Sequence, residues 1–260
     1  MISPRKTAPR RRRSVSLYRL ITPCPILYDW EGLLAVDKPA GVLSHPNPPG
    51  GPVSKRPKRS AFEGAYDFDE RCFKTPEGPV WLIHRLDQGT SGVLLAARSK
   101  EAARESRRLF EEGEIQKSYL VLVISHLKPP RGFWNDCLAT RRFKNKVQSC
   151  VMPHGPVNAR LSYRVRRIYP QTSLSLIDVS LLTGKTHQIR VQCAHRGYPV
   201  AGDDVYGDFR LNRRLRREFR IDRLFLHAQA VEMKHPLTRK PIKIAAPLPD
   251  KLERVLEALR

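Results

Sequence analysis

Apolar residues come in short runs along this chain, and that pattern most limits what it can become. Leu33-Leu34-Ala35-Val36, Val93-Leu94-Leu95-Ala96-Ala97 and the stretch from Tyr119 to Ile124 are the clearest. Lys38-Pro39-Ala40-Gly41 closes the first with turn residues. Runs this short between turn formers read as strands buried on both faces. A second pattern alternates: Val157, Ala159, Leu161, Tyr163 and Val165 share one side of 157–168, and a further run ends at Leu182. Joined through Pro170-Gln171, these two predict a hairpin with one polar, basic face. Late strands are expected at 224–231 and 242–245. Helical signals are fewer. Ser99 offers an N-cap for a helix to about Gly113, and Thr186 to Arg196 reads as a helix closed by Gly197 with Pro199 beyond. Asp250 is expected to cap a short final helix. Strands dominate, β-α-β regularity is absent and no repeat appears, so the fold class is α+β.

Charge narrows the partner. Lys plus Arg is 48 against 25 Asp plus Glu, a formal excess of +23 in 260 residues. Such an excess raises self-repulsion and attracts polyanions, so nucleic acid leads as partner. No run of about 18 apolar residues exists to span a membrane, and the start has no apolar signal segment. Seven basic residues lie in 1–20, and the first carboxylate is Asp29. We therefore expect a flexible basic arm over 1–25 and one folded domain over 26–260, with an exposed Pro-rich loop at 46–60. An Arg-rich, acid-poor start also resembles an organelle transit peptide, but Pro4 and Pro9 would break its helix, so a cytoplasmic protein is the reading kept. The five cysteines are odd in number and form no C-x-x-C. That excludes a disulfide framework and a zinc ribbon, and fits a reducing compartment. Cys193 is expected as small core filler.

Three segments concentrate chemistry. His84-Arg85-Leu86-Asp87-Gln88-Gly89-Thr90-Ser91-Gly92 sets a carboxylate two residues from an arginine, between apolar strands. A polar group at a core edge is where reactivity is tuned, although on composition alone a structural Asp-Gly turn is the stronger reading. Thr183-Gly184-Lys185-Thr186-His187-Gln188-Ile189-Arg190 invites a phosphate-loop reading, which fails because position 179 is valine. Its spacing instead puts His187 and Arg190 on one face near a helix N-terminus, with Lys185 alongside, suited to phosphate or a partner carboxylate. Gly202-Asp203-Asp204-Val205-Tyr206-Gly207-Asp208 does not match a calcium loop. It reads as a turn whose carboxylates cap amides or neutralise nearby arginines. The histidines form no metal-binding pattern, so no metal is expected.

The motif at 84–92 resembles the His-Arg-Leu-Asp-x-x-Thr-Ser-Gly element of the RluA family of RNA pseudouridine synthases. Lys38-Pro39-Ala40-Gly41, Lys117-Ser118-Tyr119-Leu120, Thr183 to Arg190, Gly202 to Gly207, Leu226-His227-Ala228 and His235-Pro236 follow in that family's order. The resemblance covers about 26–258 and is strongest to the RluC branch, which acts on large-subunit ribosomal RNA. That branch usually carries an S4 RNA-binding domain, which 25 basic residues cannot form, and the 46–60 loop looks unlike the usual segment.

The resemblance implies a mixed, largely antiparallel central sheet with flanking helices and a central active-site cleft. It implies isomerisation of a uridine to pseudouridine in structured RNA, without cofactor. Ribosomal RNA is expected first and transfer RNA second, with the protein as a monomer. Asp87, Tyr119 and Arg190 match the catalytic residues. Asp87 is the essential carboxylate, and two routes fit it: attack on C1′, or removal of a sugar proton to give a glycal. Tyr119 would stack on the uracil and assist at C5, and Arg190 would pair with Asp87. Arg85 would help open the RNA. His84, Lys185, His187, Arg141, Arg142 and Lys144 are the other expected RNA contacts. A non-catalytic RNA-binding or ribosome-assembly protein on the same fold is the alternative. Removing residues 1–20 is expected to weaken RNA binding and lower its log-log salt slope by about 0.7–0.9 per lost phosphate contact. An identical slope would show that the arm does not touch RNA.

Overall fold

The computed structural model describes residues 22–48, 59–143 and 146–260. The expected arm, up to residue 21, lies outside the described residues, as do 49–58 of the expected loop and Lys144. In chain order the elements are β1 (Ile26–Trp30), β2 (Leu33–Lys38), β3 (Ala65–Asp67), β4 (Cys72–Thr75), β5 (Gly78–Leu82), β6 (Ser91–Ala97), α1 (Lys100–Glu111) and β7 (Gln116–Ile124). They continue as β8 (Arg131–Phe143), β9 (Lys146–Met152), β10 (Ala159–Tyr169), β11 (Leu174–Leu181), α2 (Gln188–His195), α3 (Phe209–Phe219), β12 (Leu226–Lys234), β13 (Pro241–Ala245) and α4 (Asp250–Ala258).

One sheet runs β3-β4-β5-β6-β12-β7-β11-β10-β8-β9, with β2 also pairing β6, β1 pairing β2, and β13 pairing β12. Every ladder is antiparallel except β6 with β12, which is parallel at Ser91–His227 and Gly92–Ala228. This is the mixed, largely antiparallel sheet expected. The continuous apolar runs are its central strands. All seven residues of β6 are buried, because α1 and β13 cover one face while β7, β11 and α2 contribute to the core on the other. A further cluster packs α3 and α4 against β7 and β11. No helix among the described residues is long and apolar enough to cross a membrane.

Several boundaries moved. Ser99 does cap α1, its side chain accepting from the Ala102 amide. The hairpin at β10 and β11 turns through Pro170–Thr172. The helix expected from Thr186 starts only at Gln188, because His187 takes a left-handed conformation with φ 55°. The final helix is preceded by Pro249 as its cap, and Asp250 is the first helical residue instead. Several elements were not foreseen: β1, β3, β4, β5, the β8–β9 ribbon and α3. The β8–β9 ribbon is held by its backbone ladder and by Leu138 and Val151, which pack with Ala159 and Val191. The arginine-rich α3 is capped by Asp208, whose side chain accepts from the Leu211 amide.

The parallel contact between β6 and β12 is close enough to require glycine. Gly92 has φ 111°, and a Cβ there would lie 2.2 Å from the Ala228 carbonyl oxygen. Gly92→Ala is expected to destabilise the protein by about 2–4 kcal/mol, read as a lower urea midpoint. An unchanged midpoint would mean that the strands tolerate a side chain there.

Candidate active site

Asp87 lies in the segment between β5 and β6, and that segment is held by the Lys-Pro-Ala-Gly turn after β2. The Gly41 amide donates to the Gln88 carbonyl at 2.8 Å, and the Gln88 side chain returns a bond to the Gly41 carbonyl at 2.9 Å. Ser44 Oγ bonds both the carbonyl and the amide of Leu86. Lys38 is fully buried, and its ammonium donates to the carbonyls of Pro39, Val42 and Gln88 at 3.0, 2.8 and 3.4 Å. Burial pushes its pKa down to about 8. Three carbonyls satisfy the three donors of the ammonium, which offsets part of the desolvation.

Arg190, on the first turn of α2, reaches Asp87 from the opposite side. Its Nη1 donates to Asp87 Oδ2 at 3.0 Å. Its Nε and Nη2 form a two-pronged pair with Asp203 at 2.7 and 2.8 Å. The Arg190 side chain is 6% exposed and that of Asp203 0%, while Asp87 keeps 24%. Burial alone would raise the Asp203 carboxyl, but the bonds and charge of Arg190 outweigh it and hold the carboxyl low. Burial opposes the Arg190 charge, and the carboxylates of Asp203 and Asp87 more than restore it. Asp203 Oδ1 also accepts the amides of Val205 and Tyr206. Asp203 thus caps amides and neutralises an arginine, as the 202–208 segment was read to do.

Asp87 lines two connected spaces. One is a wide cleft of about 1600 Å³; the other is a small pocket of about 90 Å³ that also holds Tyr119, Leu226 and Lys185. Tyr119 projects from β7 and is buried. Burial, then the Asp87 charge, raises its hydroxyl pKa well above the usual phenol value. His187 Nε2 stands 3.9 Å from Asp87 Oδ1, and its Nδ1 lies 2.9 Å from the Tyr206 hydroxyl. That hydroxyl accepts the Ser149 amide at 2.8 Å, which links the β8–β9 ribbon to the site. Burial lowers the His187 pKa against the pull of Asp87.

The remaining expected contacts divide. Arg85 is exposed, its Nη1 3.0 Å from His45 Nε2, and the His45 ring stacks on Tyr66. Lys185 is exposed at the small pocket, and Arg141 is exposed on β8. The Arg142 side chain, like Lys144, lies outside what is described. His84 lines the small pocket, its Nε2 accepting the Leu95 amide and its ring stacked on Phe110. The bonded amide lies in the second half of β6. Asp203, Tyr206 and Lys38 were not singled out as site residues. The signal was present for Asp203, since an acid-rich turn beside an arginine-rich region needs partners. Among the described residues no three His, Cys, Asp or Glu side chains gather to hold a metal ion.

The model of the RNA pseudouridylate synthase family matches residues 32–195, which include Asp87, Tyr119 and Arg190. The chain belongs to this family. Ribosomal large subunit pseudouridine synthase C of Vibrio vulnificus (strain CMCP6) is 35% identical over 240 residues, covering 90% of this chain and 69% of that protein. The protein of the same name from Escherichia coli (strain K12) is 34% identical over 245 residues, covering 90% and 70%. Among solved structures, human RNA pseudouridylate synthase domain containing 4 matches with a TM-score of 0.65 at 21% identity, over 90% of this chain and 92% of that one, and shares the fold. This pseudouridine synthase therefore places its acidic motif, its tyrosine strand and its helix arginine around one carboxylate.

Two buried histidines near this core tie stability to pH. Burial, then the Lys117 charge, pushes the His84 pKa down to about 4. Burial likewise pushes His227 down to about 4. In the unfolded chain both titrate near 6.5. Between pH 6.5 and 4 the unfolded state therefore binds more protons, and stability falls as the pH falls. The expected loss is of order 2–3 kcal/mol for each histidine, followed by urea unfolding at stepped pH. His84→Gln should flatten part of the slope; an unchanged slope would mean that His84 is not held neutral.

Proposed function

We propose that this pseudouridine synthase acts on a uridine of large-subunit ribosomal RNA, with transfer RNA as the second candidate, and that Asp87 carries the reaction. One observation supports this most: Asp87 lines both a cleft of about 1600 Å³ and a small pocket containing Tyr119. A base everted from its stack reaches the pocket while its sugar stays beside the carboxylate. Eversion costs a few kcal/mol, which contacts from the basic surface offset. The named relatives that act on the ribosomal large subunit support that class of RNA. The five cysteines are free thiols, which supports a reducing, cytoplasmic setting.

The isomerisation breaks N1–C1′, turns the uracil, joins C5 to C1′ and moves the C5 proton to solvent while N1 gains one. In this reading Asp87 either attacks C1′ or takes a sugar proton. Arg190 fixes one carboxylate oxygen and leaves Oδ1 toward His187 and the opening. A guanidinium held by Asp203 cannot swing away, so the carboxylate is oriented before RNA arrives. Tyr119 enters as a neutral phenol, because its raised pKa opposes ionisation. It packs against the base and offers a hydroxyl at C5. Arg85 stands on the outer side of the motif, where it supports the RNA after the base has left.

Asp87→Asn is expected to abolish tritium release from RNA labelled at uridine C5, with RNA binding kept within about threefold. Chemical mapping of pseudouridine in total RNA from a deletion strain would then identify the target by its missing stop. Tritium release by the variant at the normal rate would reject Asp87 as the catalytic carboxylate. A strain whose ribosomal RNA keeps every stop, but whose transfer RNA loses one, would move the substrate to transfer RNA.

A further inference from the structure

Arg223 is a cation of the cleft that the reaction above does not use, as Arg216 and Lys251 also are. It lies just before β12, is half-buried, and lines the wide cleft together with Asp87. Its fork is already fixed on one side. Nε donates to the Leu224 carbonyl at 3.2 Å, and Nη2 donates to the Gly89 carbonyl at 3.3 Å and to Ser91 Oγ at 2.9 Å. Ser91 Oγ is 2.9 Å from His227 Nδ1, and His227 Nε2 is 3.3 Å from the Ala246 carbonyl. Only one assignment satisfies this row of groups. His227 donates from Nε2 to Ala246, accepts at Nδ1 from the Ser91 hydroxyl, and leaves the Ser91 oxygen to accept from Arg223. The row anchors the guanidinium in the β6–β12 junction.

What remains is Nη1, which has no hydrogen-bond partner among the described residues. No carboxylate of the described residues lies within 4.0 Å of Arg223. Its neighbour Asp222 is engaged by Lys251 at 2.6 Å. Arg190, by contrast, has its charge matched by two carboxylates. A half-buried, immobilised guanidinium with an open pair of N–H groups and no acid is suited to an anion brought from outside. In an RNA substrate the only anions are phosphodiesters. Gly89, which Arg223 grips, is two residues from Asp87, so an anion at Nη1 lies within about one nucleotide of the reacting sugar.

We propose that Arg223 is the phosphate seat of the catalytic cleft, taking a phosphodiester that flanks the uridine received by Asp87. The proposal rests on the uridine-isomerising reading and adds where the RNA backbone is pinned. A neutral donor would suffice to brace Gly89 and Ser91; the charge and the open Nη1 call for the phosphate.

The test uses the full chain, a large-subunit ribosomal RNA fragment, and copies of it carrying one neutral methylphosphonate at a time. Arg223→Gln should weaken binding about tenfold and lower the log-log salt slope by about 0.7–0.9. The single-turnover rate at saturating RNA should stay within about threefold of normal. Arg223→Lys, which keeps the charge, should restore the slope. One methylphosphonate beside the target should weaken the normal protein by the same factor and the Gln variant no further. Normal affinity and slope for Arg223→Gln, or penalties that add at every phosphate, would overturn the proposal. A slow saturated rate with unchanged binding would also overturn it, making Arg223 a brace of the loop. If Arg223→Gln does not fold, Arg223→Lys decides: a normal salt slope with the one flanking methylphosphonate still penalised would support the seat, and no penalty from any methylphosphonate beside the target in either protein would reject it. If the normal protein binds with this coupling yet makes no pseudouridine, the isomerase reading fails and the seat stands.

Discussion

The site depends on a single buried arginine held between two carboxylates. Arg190 spans from Asp203, which is wholly buried, to Asp87, which faces the cleft. Asp203 is itself pinned by the amides of Val205 and Tyr206. Removing one partner from such a buried pair leaves an uncompensated charge, a penalty of about 3–5 kcal/mol. The same arrangement fixes the direction of the Asp87 carboxylate. A carboxylate tethered through a rigid guanidinium to a buried anchor has little freedom left to lose when RNA binds.

Around that axis the rest of the fold brings distant segments to one place. The turn at 38–41 clamps Gln88 and Leu86 from one side, with the buried Lys38 ammonium at its centre. The parallel contact of β6 with β12 closes the other, and Gly92 permits it. Tyr119 arrives on β7, which pairs with β12 through Ala228. The β8–β9 ribbon is drawn in by the Ser149–Tyr206 bond, and Val147 and Gln148 of β9 line the cleft. Each contact joins residues far apart in sequence, so the site forms only when the sheet does.

The central strands were legible because burial on both faces leaves a continuous apolar run, as in β2 and β6. The Ser99 cap was legible because capping is local. The β8–β9 ribbon was not, since its apolar residues are interleaved with polar and charged ones and find burial only against β10 and α2. The start of α2 was misplaced by two residues because His187 is held left-handed by contacts to Tyr206 and Asp87 that lie elsewhere in the chain.

By itself the sequence determined the α+β class, the reactive motif and the surplus of positive charge, because strand period, turn chemistry and composition act locally or additively. Asp87, Tyr119 and Arg190 were legible through a motif order shared with a family, not through any property of their own neighbourhoods. Only the tertiary structure decided that Asp203 is the anchor of Arg190, that Lys38 braces the segment carrying Asp87, and that Arg223 lines the same cleft with one guanidinium nitrogen unbonded among the described residues. Those facts are distances between side chains on different elements. They follow from how the sheet folds those elements together, which no local pattern encodes.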